Sequence, residues 1–288
     1  WWQRELAVIV PEYRNQHRIQ FIRGFIQLPK TIGSDNNRQV VFCMKSARFV
    51  AFSCTHCPYQ SEEAIERLIQ ELKGRKITHC VHLGDVIEGK ASSQWKDDPT
   101  QHSLYDEYKC ASDMLKRIRL ALPSDCELIA MDGNHDDNVQ KAGRIQHDLR
   151  SLLDPRNLDG VKDEFKRWKH IPYRHGKVGT YRLGNVIFTH GFSTNDEMES
   201  IQLAQDCHGM LANQLVVRGH THRPVPPTQC KKSQRVKLPL WYANAGYMAF
   251  GDGAKRAPYT YRFSISAWKH GAIFGECQLG RVGRMGRD

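Results

Sequence analysis

Short apolar runs that alternate with amphipathic helical patterns dominate the sequence from Arg48 onward. The strand-like runs cover residues 49–52, 77–83, 128–131, 185–189 and 214–218. The helical patterns cover a segment that starts at Ser61 and the segments 106–122 and 196–212. Strands that alternate with helices in this way predict βαβ units and an α/β sheet.

The first helical pattern has a beginning and an end that the sequence marks. Glu62 and Glu63 follow Ser61 in the first turn, the apolar residues from 64 to 72 fall on one face, and Gly74 can end the helix. The last part of the chain differs, because segments 238–250, 259–267 and 272–279 read as antiparallel strands. We therefore predict a basic N-terminal extension over residues 1–47 and one catalytic domain over residues 48–288.

Each of the five strand-like runs leads into a turn that carries His, Asp, Asn or Cys in or near a glycine-containing segment. The five segments read CTH at 54–56, GDVIE at 84–88, DGNHD at 132–136, THG at 189–191 and GHTHRP at 219–224. Ligands of open α/β sheets bind at the carboxyl ends of the strands, and loops on such a scaffold carry functional residues. The set therefore predicts a polar site at one edge of the sheet.

GDVIE, GNHD, THG and GHTH, in this order and spacing, resemble the motifs of the calcineurin-like metallophosphoesterases. This superfamily contains dinuclear metal phosphatases and phosphodiesterases, and the resemblance covers residues 48–279. It implies an α/β fold of the metallophosphoesterase type, which is a β-sandwich of two mixed sheets flanked by helices.

The resemblance also implies ligands for two divalent metal ions. Asp85 would bridge the two ions, and His56 and His222 would complete the shell of one ion together with whatever donor position 54 supplies. The ligands implied for the second ion are Asn134, His190 and His220. Imidazole and carboxylate donors suit Mn, Zn, Fe, Ni or Co, so the sequence leaves the identity of the metal open.

The resemblance implies catalytic roles for two further residues. His135 would face the substrate and protonate the leaving alkoxide, and Glu88 would orient and charge that histidine. Two divalent cations would neutralise the phosphate and turn a water into a nucleophile near neutral pH. The acid must have a pKa near neutrality, which favours histidine over lysine.

The first motif departs from the superfamily pattern, because Cys54-Thr55-His56 replaces Asp-x-His. The spacing of Cys54 and Cys57 is also that of a redox pair or half of a zinc site, but the chain has no second C-x-x-C, and His56 falls in register with a metal ligand. Three interpretations of Cys54 remain open. It is a thiolate ligand that favours zinc or iron over manganese, a non-ligating substitution that weakens one metal, or an oxidised thiol.

The formal net charge of +11 is the one unusual feature of the composition. Such a charge favours a polyanionic partner such as DNA, RNA or a nucleotide, although a basic surface without a specific partner is the alternative. The insertion 91–107 carries Trp95, His102 and Tyr105. It could stack a base in the substrate cleft or form a solvated surface loop.

These features predict a dinuclear metal-dependent phosphohydrolase that cleaves phosphate esters and acts as a phosphodiesterase or nuclease. The alternatives are a phosphomonoesterase and, if Cys54 is a lost ligand, a catalytically impaired nucleic-acid-binding protein. The nine cysteines are an odd number in a chain of this length, which favours a reducing compartment, the cytoplasm. No apolar stretch approaches the ~20 residues that span a bilayer, so no membrane partner is expected.

Overall fold

The structure is a computed structural model. It describes residues 5–11, 19–25, 46–89, 102–145, 151–173, 179–206, 213–233, 236–250 and 267–279. The predicted strand at 259–267, except for its last residue, and the end of the predicted helix at 207–212 lie outside the described residues, as does Trp95. Among the described helices, none combines the length and the apolar character that a membrane crossing requires.

The regular elements have the following bounds. The strands are β1 (Glu5–Pro11), β2 (Ile19–Phe25), β3 (Ser46–Phe52), β4 (His79–His82), β5 (Glu127–Met131), β6 (Lys169–Ile171), β7 (Thr180–Leu183), β8 (Val186–Thr189), β9 (Gln214–Arg218), β10 (Val225–Gln229), β11 (Leu240–Asn244) and β12 (Ala272–Gln278). The helices are α1 (Glu62–Leu72), α2 (Leu104–Leu120), α3 (Asn134–Ile145), α4 (Lys162–Phe165) and α5 (Asp196–Asp206). A 3-10 turn covers Pro155–Asn157.

The described strands form two mixed sheets. The first has the order β2-β1-β12-β3-β4-β5-β6, in which β3 to β6 are parallel and β12 runs antiparallel to β3. Strand β1 pairs antiparallel with β12, and β2 pairs antiparallel with β1 at the edge, so part of the segment 1–47 belongs to the sheet. The second sheet has the order β10-β11-β9-β8-β7, in which β8, β9 and β11 are parallel.

Alternate residues of the parallel strands are buried on opposite faces of the first sheet. Phe49 and Ala51 pack in the core between the two sheets, whereas Val50 and Phe52 pack in the core beneath the helices. Phe49 meets Phe188 of the second sheet edge to face, with the ring centroids 5.0 Å apart. Burial on both faces explains why these strands read as continuous apolar runs rather than as an alternating pattern.

Helices cover the outer faces of both sheets. Apolar residues of α1 and α2 belong to the core on the outer face of the first sheet, and residues of α5 belong to the core on the outer face of the second. The predicted fold, an α/β sandwich of two mixed sheets flanked by helices, is confirmed.

Helix α1 begins where the sequence predicts, because the Ser61 side chain accepts a hydrogen bond from the Ala64 N–H. Helix α2 begins two residues before the predicted start, since Ser103 and Asp106 form a capping box. The structure also contains helix α3, which starts at Asn134 inside a segment that the sequence pattern indicated as a turn.

The C-terminal strands differ from the prediction in one respect. Strand β11 is antiparallel to β10 but parallel to β9. The reason is that β10 lies between β9 and β11 in the sequence and runs opposite to both, so β11 returns parallel to β9. The sequence pattern did not indicate β10. This strand contains Pro226 and Pro227, which a strand tolerates at the edge of a sheet, where β10 lies.

The inter-sheet contact of Phe49 provides a test of the packing. We expect Phe49→Ala to lower the free energy of unfolding by about 3 kcal/mol, since it removes a fully buried ring and leaves a cavity between the sheets. Chemical denaturation would measure the change. Leu120→Ala is the control, because Leu120 is 67% exposed and should change stability by less than about 0.5 kcal/mol. An equal loss in both variants would contradict the packing.

Candidate metal centre

The five motif loops meet at the carboxyl ends of the parallel strands of both sheets. There the donor atoms form three overlapping groups, each of which lies within 4.8 Å. The groups are Cys54 with His56, Asp85 and His222; Asp85 with His190 and His220; and His56 with Glu88 and His135. Asn134 lies beside the second group. All nine predicted site residues therefore come together.

In the first group, Nε2 of His56 converges with other donor atoms. Nδ1 of His56 donates to a Glu88 carboxylate oxygen at 2.9 Å, so Nε2 faces the remaining donors. This Nε2 lies 3.4 Å from Nε2 of His222 and 3.6 Å from Oδ2 of Asp85. A histidine that donates its second N–H to a carboxylate is typical of metal ligands. The converging nitrogen and oxygen atoms form a donor set that a divalent cation would bind.

His222 supports the same interpretation. Its Nδ1 is buried and has no hydrogen-bond partner in the described part of the chain. Burial, together with the charge of His56, lowers the pKa of His222 well below its ordinary value. The ring is therefore neutral, which is the form of histidine that binds a metal ion.

The second group repeats the arrangement. His190 donates from Nδ1 to the Leu83 carbonyl at 3.1 Å, and its Nε2 lies 3.2 Å from Oδ2 of Asp85 and 3.1 Å from Oδ1 of Asn134. Nδ1 of His220 lies 3.0 Å from the same Asn134 oxygen. Burial and the charge of His190 lower the pKa of His220 to about 3, so it is neutral. This donor set also fits a divalent cation, and Asp85 belongs to both groups.

Glu88 and His135 are close, but the structure divides the predicted role of Glu88 between two atoms. The carboxylate hydrogen-bonds His56, whereas Nδ1 of His135 donates to the Glu88 backbone carbonyl at 2.7 Å. The carboxylate lies 3.7 Å from the same Nδ1. Burial lowers the pKa of His135, but the charges of Asp85 and Glu88 outweigh burial and raise the pKa to about 9. The carbonyl therefore orients His135, and the carboxylate contributes charge.

Cys54 is fully buried, and its Sγ lies with the donor atoms of the first group. Burial and the negative charge of Asp85 raise the pKa of the Cys54 thiol well above its ordinary value. A thiolate at this position therefore needs a cation beside it. Cys57 packs elsewhere, with its Sγ 3.9 Å from the sulfur of Met114 in α2.

The backbone around the centre adopts an unusual conformation. Five of the candidate ligands have positive φ, namely Cys54 (55°), His56 (46°), Asp85 (55°), His220 (69°) and His222 (59°). A residue other than glycine costs of order 1–3 kcal/mol in such a conformation, and such residues cluster at functional sites. No local sequence signal indicates this strain, because these residue types commonly have negative φ.

Two glycines allow the motif loops to approach one another. A Cβ on Gly84 would lie 2.6 Å from the backbone nitrogen of Gly133, and a Cβ on Gly133 would overlap the Asp85 carboxylate. A side chain at Gly133 would therefore displace the residue that both groups share.

The sequence analysis missed His82, which connects two of the loops. The Gly84 N–H donates to its Nδ1 at 3.1 Å, so the His82 proton is on Nε2, which donates to Oγ1 of Thr55 at 3.0 Å. Thr55 in turn donates to the Val86 carbonyl at 3.0 Å. Burial lowers the pKa of His82 to about 3, so the ring stays neutral. A histidine inside an apolar strand was the only available signal.

Asp136 and Asn244 also hold the loops and were also missed. The buried Asp136 carboxylate accepts hydrogen bonds from the Val86, Ile87 and Gly133 N–H groups. The Asn244 amide nitrogen donates to the Gly219 carbonyl at 2.8 Å and to Oγ1 of Thr221 at 2.9 Å. Both residues bond atoms of motif loops that are distant in the sequence.

The aromatic residues of the insertion 91–107 are only partly described. Tyr105 lies in the first turn of α2, and its hydroxyl donates to the Asp159 carbonyl at 3.3 Å. The ring of His102 is 6.0 Å from that of Tyr59. Tyr105 is therefore anchored on the segment before α4, and its hydroxyl already has a partner there.

A family model described as the calcineurin-like phosphoesterase superfamily domain matches residues 48–264 of this chain. The family predicted from the motifs is thereby confirmed. No functionally curated protein shows significant sequence similarity to the chain.

Several solved structures are similar to the chain at low sequence identity. A Vps29 single mutant from Entamoeba histolytica has 12% identity and a TM-score of 0.36, and the match covers 73% of this chain and 78% of that one. Chaetomium thermophilum Vps29 has 11% identity and a TM-score of 0.35, and the match covers 84% of this chain and 100% of that one. Vacuolar Protein Sorting 29 from Cryptosporidium parvum has 16% identity and a TM-score of 0.34, and the match covers 72% of this chain and 78% of that one.

Proposed function

Because the chain belongs to the calcineurin-like phosphoesterase superfamily, we propose that it is a dinuclear metal-dependent phosphohydrolase whose substrates are phosphodiesters, with nucleic acid or a nucleotide as the substrate class. The observation that carries this proposal is the pair of buried donor groups that share Asp85. In each group, histidine ring nitrogens converge on carboxylate or amide oxygens. Such a donor set binds a divalent cation well.

The two groups divide the proposed ligands between two ions. Cys54, His56 and His222 would hold the first ion, and Asn134, His190 and His220 would hold the second, with Asp85 between them. The ions would supply positive charge for the phosphoryl oxygens. They would also lower the pKa of a water enough for it to act as a hydroxide nucleophile near neutral pH.

The chain itself supplies a proton. His135 is partly exposed, and its Nδ1–H donates to the Glu88 carbonyl, which fixes the ring at the edge of the donor groups. The negative charges of Asp85 and Glu88 outweigh burial and raise the pKa of His135, which favours the protonated ring. A protonated imidazole at this edge of the centre would give its proton to the oxygen that leaves phosphorus.

The preference for a phosphodiester of nucleic acid rests on charge. The chain carries a net charge of +11. In the described part, Arg223 directly follows His222 and is exposed, and Lys231 and Lys232 are also exposed. A basic surface attracts a polyanion more strongly than a small monoester, because a polyanion contacts several cations at once.

Hydrolysis assays with metal analysis test this function. The purified protein, loaded with Mn²⁺ or with Zn²⁺, would be given end-labelled oligonucleotides, bis(p-nitrophenyl) phosphate and p-nitrophenyl phosphate. We expect two metal ions per chain by elemental analysis and cleavage of the diesters. Turnover of the monoester alone would exclude the nuclease preference. A protein with no metal and no hydrolysis, but with bound nucleic acid, would be the impaired binding protein.

Cys54 is assigned here as a thiolate ligand of the first ion. We expect Cys54→Ser to lower the hydrolysis rate by about 10²-fold and to reduce metal content, since a neutral hydroxyl is a weak ligand and one ion contributes several kcal/mol. Cys54→Asp should keep both ions and change the preference from Zn²⁺ towards Mn²⁺, because a carboxylate is a harder donor. Elemental analysis and rates with each metal measure both effects.

The matched control is Cys126→Ser, since Cys126 is partly buried and lies at the start of β5, at the other end of the strands. Its metal content and rate should equal those of the parent. If Cys54→Ser has no effect while Cys54→Asp raises the rate about 10²-fold, Cys54 is a lost ligand rather than a working one.

The described cysteines are all free thiols. A thiolate metal ligand requires a reduced sulfur. We therefore propose that the protein works in a reducing compartment, the cytoplasm.

A further inference from the structure

An exposed aromatic side chain lies on the loop that follows the candidate ligand His190. Phe192 is 50% exposed and follows His190 by two residues. Consecutive Cα atoms are about 3.8 Å apart, so the Cα atom of Phe192 lies within about 7.6 Å of that of His190. Its position after β8 places it at the edge of the second sheet where the motif loops meet.

A buried ion pair holds the backbone that carries Phe192. The Arg218 guanidinium is fully buried, and it lies 2.8 Å from the Glu199 carboxylate and 3.1 Å from that of Asp196. Glu199 accepts hydrogen bonds from the Phe192 N–H at 3.0 Å and the Ser193 N–H at 2.8 Å. Arg218 also donates to the Ser193 carbonyl at 2.6 Å. The loop is therefore fixed on both sides of the ring.

Gly191 and Tyr173 complete the support. Gly191 has a φ of 94°, and a Cβ there would lie 2.5 Å from a nitrogen of the Arg218 guanidinium, so the position excludes a side chain. The Tyr173 hydroxyl donates to the Gly191 carbonyl at 3.3 Å, and its ring centroid is 6.2 Å from that of His190. Two aromatic residues thus border the same end of the centre.

This arrangement presents the ring instead of burying it. A phenylalanine side chain stabilises a fold when it is buried away from water. Because Phe192 is half exposed, it contributes only about half of that stabilisation. Buried ion pairs fix geometry more reliably than they add stability, and this one is used to fix a loop whose largest side chain faces solvent. A rigid, exposed aromatic ring beside a phosphate-binding centre is the feature on which a nucleobase stacks.

We propose that Phe192 is the stacking platform for a nucleobase adjacent to the phosphodiester at the metal centre, so that single-stranded nucleic acid is the substrate class. The proposal rests on the function proposed above and adds to it a recognition element that acts on the base rather than on the phosphate. The ring has no hydrogen-bonding groups, so it would accept every base and give affinity without sequence preference.

A binding measurement that does not require turnover tests the platform. In a His135→Ala background, which limits cleavage, the Kd of the metal-loaded protein would be measured by fluorescence anisotropy for oligothymidylate and for an abasic oligomer of the same length and charge. We expect the parent to prefer oligothymidylate. Phe192→Ala should reduce this preference about tenfold, whereas Phe192→Tyr should retain it, because stacking needs only the ring.

Leu120→Ala is the matched control, since it removes another exposed apolar side chain at the far end of α2, away from the carboxyl ends of the strands. It should keep the full preference. Metal content and thermal stability of Phe192→Ala should equal those of Leu120→Ala. A parent that binds both oligomers equally, or a Phe192→Ala protein that keeps the full preference, overturns the platform. Neither result bears on hydrolysis of small diesters, which tests the proposed function separately.

Discussion

Replacing Asp85 with asparagine should lower the rate of phosphodiester hydrolysis by about 10⁴-fold. The carboxylate lies in both donor groups, 3.6 Å from Nε2 of His56 and 3.2 Å from Nε2 of His190. Burial raises its pKa, but His190 and His135 outweigh burial and hold the pKa well below its ordinary value, so the group is ionised. Losing this charge would weaken the binding of both proposed ions at once. The 10⁴-fold loss in rate corresponds to ~5 kcal/mol of transition-state stabilisation.

Steady-state rates and elemental analysis on the same preparation would check the result. We expect metal content to fall together with the rate, since the neutral amide is a poorer ligand for both ions. Asp159→Asn is the control, because the Asp159 side chain is 92% exposed and pairs only with Lys162 among the described residues. An Asp85→Asn protein that keeps two ions and full activity would remove the basis for the dinuclear centre.

Replacing His135 with alanine should lower the rate on alkyl phosphodiesters by about 10³-fold while both ions stay bound. General acid catalysis contributes 10²–10⁴-fold in rate, and His135 is not among the proposed ligands. Its backbone N–H donates to Oδ1 of Asp85 at 3.0 Å, and an alanine retains this hydrogen bond. The loss should therefore come from the missing proton and not from a disturbed metal centre.

The leaving group separates this role from a structural one. p-Nitrophenolate leaves without the help of a proton, so His135→Ala should slow bis(p-nitrophenyl) phosphate much less than it slows an oligonucleotide. His79→Ala is the matched control, because His79 lies at the start of β4, at the opposite end of the strands from the donor groups. Equal losses on the two substrates in His135→Ala would show that His135 is not the acid.

Glu88 illustrates what residue types alone could not settle. The motif GDVIE indicates a carboxylate close to His135, and that proximity exists at 3.7 Å. However, the shorter contacts connect the carboxylate to His56 and the backbone carbonyl to His135. The choice of atom depends on the path of the 84–88 loop against the 54–57 loop, and side-chain identity does not encode that path.

The sequence by itself determined the fold class and the residue types of the candidate site. Continuous apolar runs followed by helical periodicity indicated strands buried on both faces between helices, because burial is what apolar residues contribute wherever they lie. The order and spacing of the five polar segments carried the resemblance to the superfamily, and that resemblance implied the candidate donors, whose imidazole, carboxylate, amide and thiol groups bind metal ions in any fold. These properties belong to short segments and to individual side chains, so they can be read from the sequence without knowledge of the tertiary contacts.

Only the tertiary structure decided which donors face one another and what holds them. His190 meets Asp85 although more than a hundred residues separate them, because parallel strands of two packed sheets end at the same edge. The left-handed backbone at Cys54 and the ion pair beneath Phe192 depend on contacts from distant loops. Such strain and such buried charge persist only where the surrounding packing outweighs their cost, and that balance is a property of the whole fold.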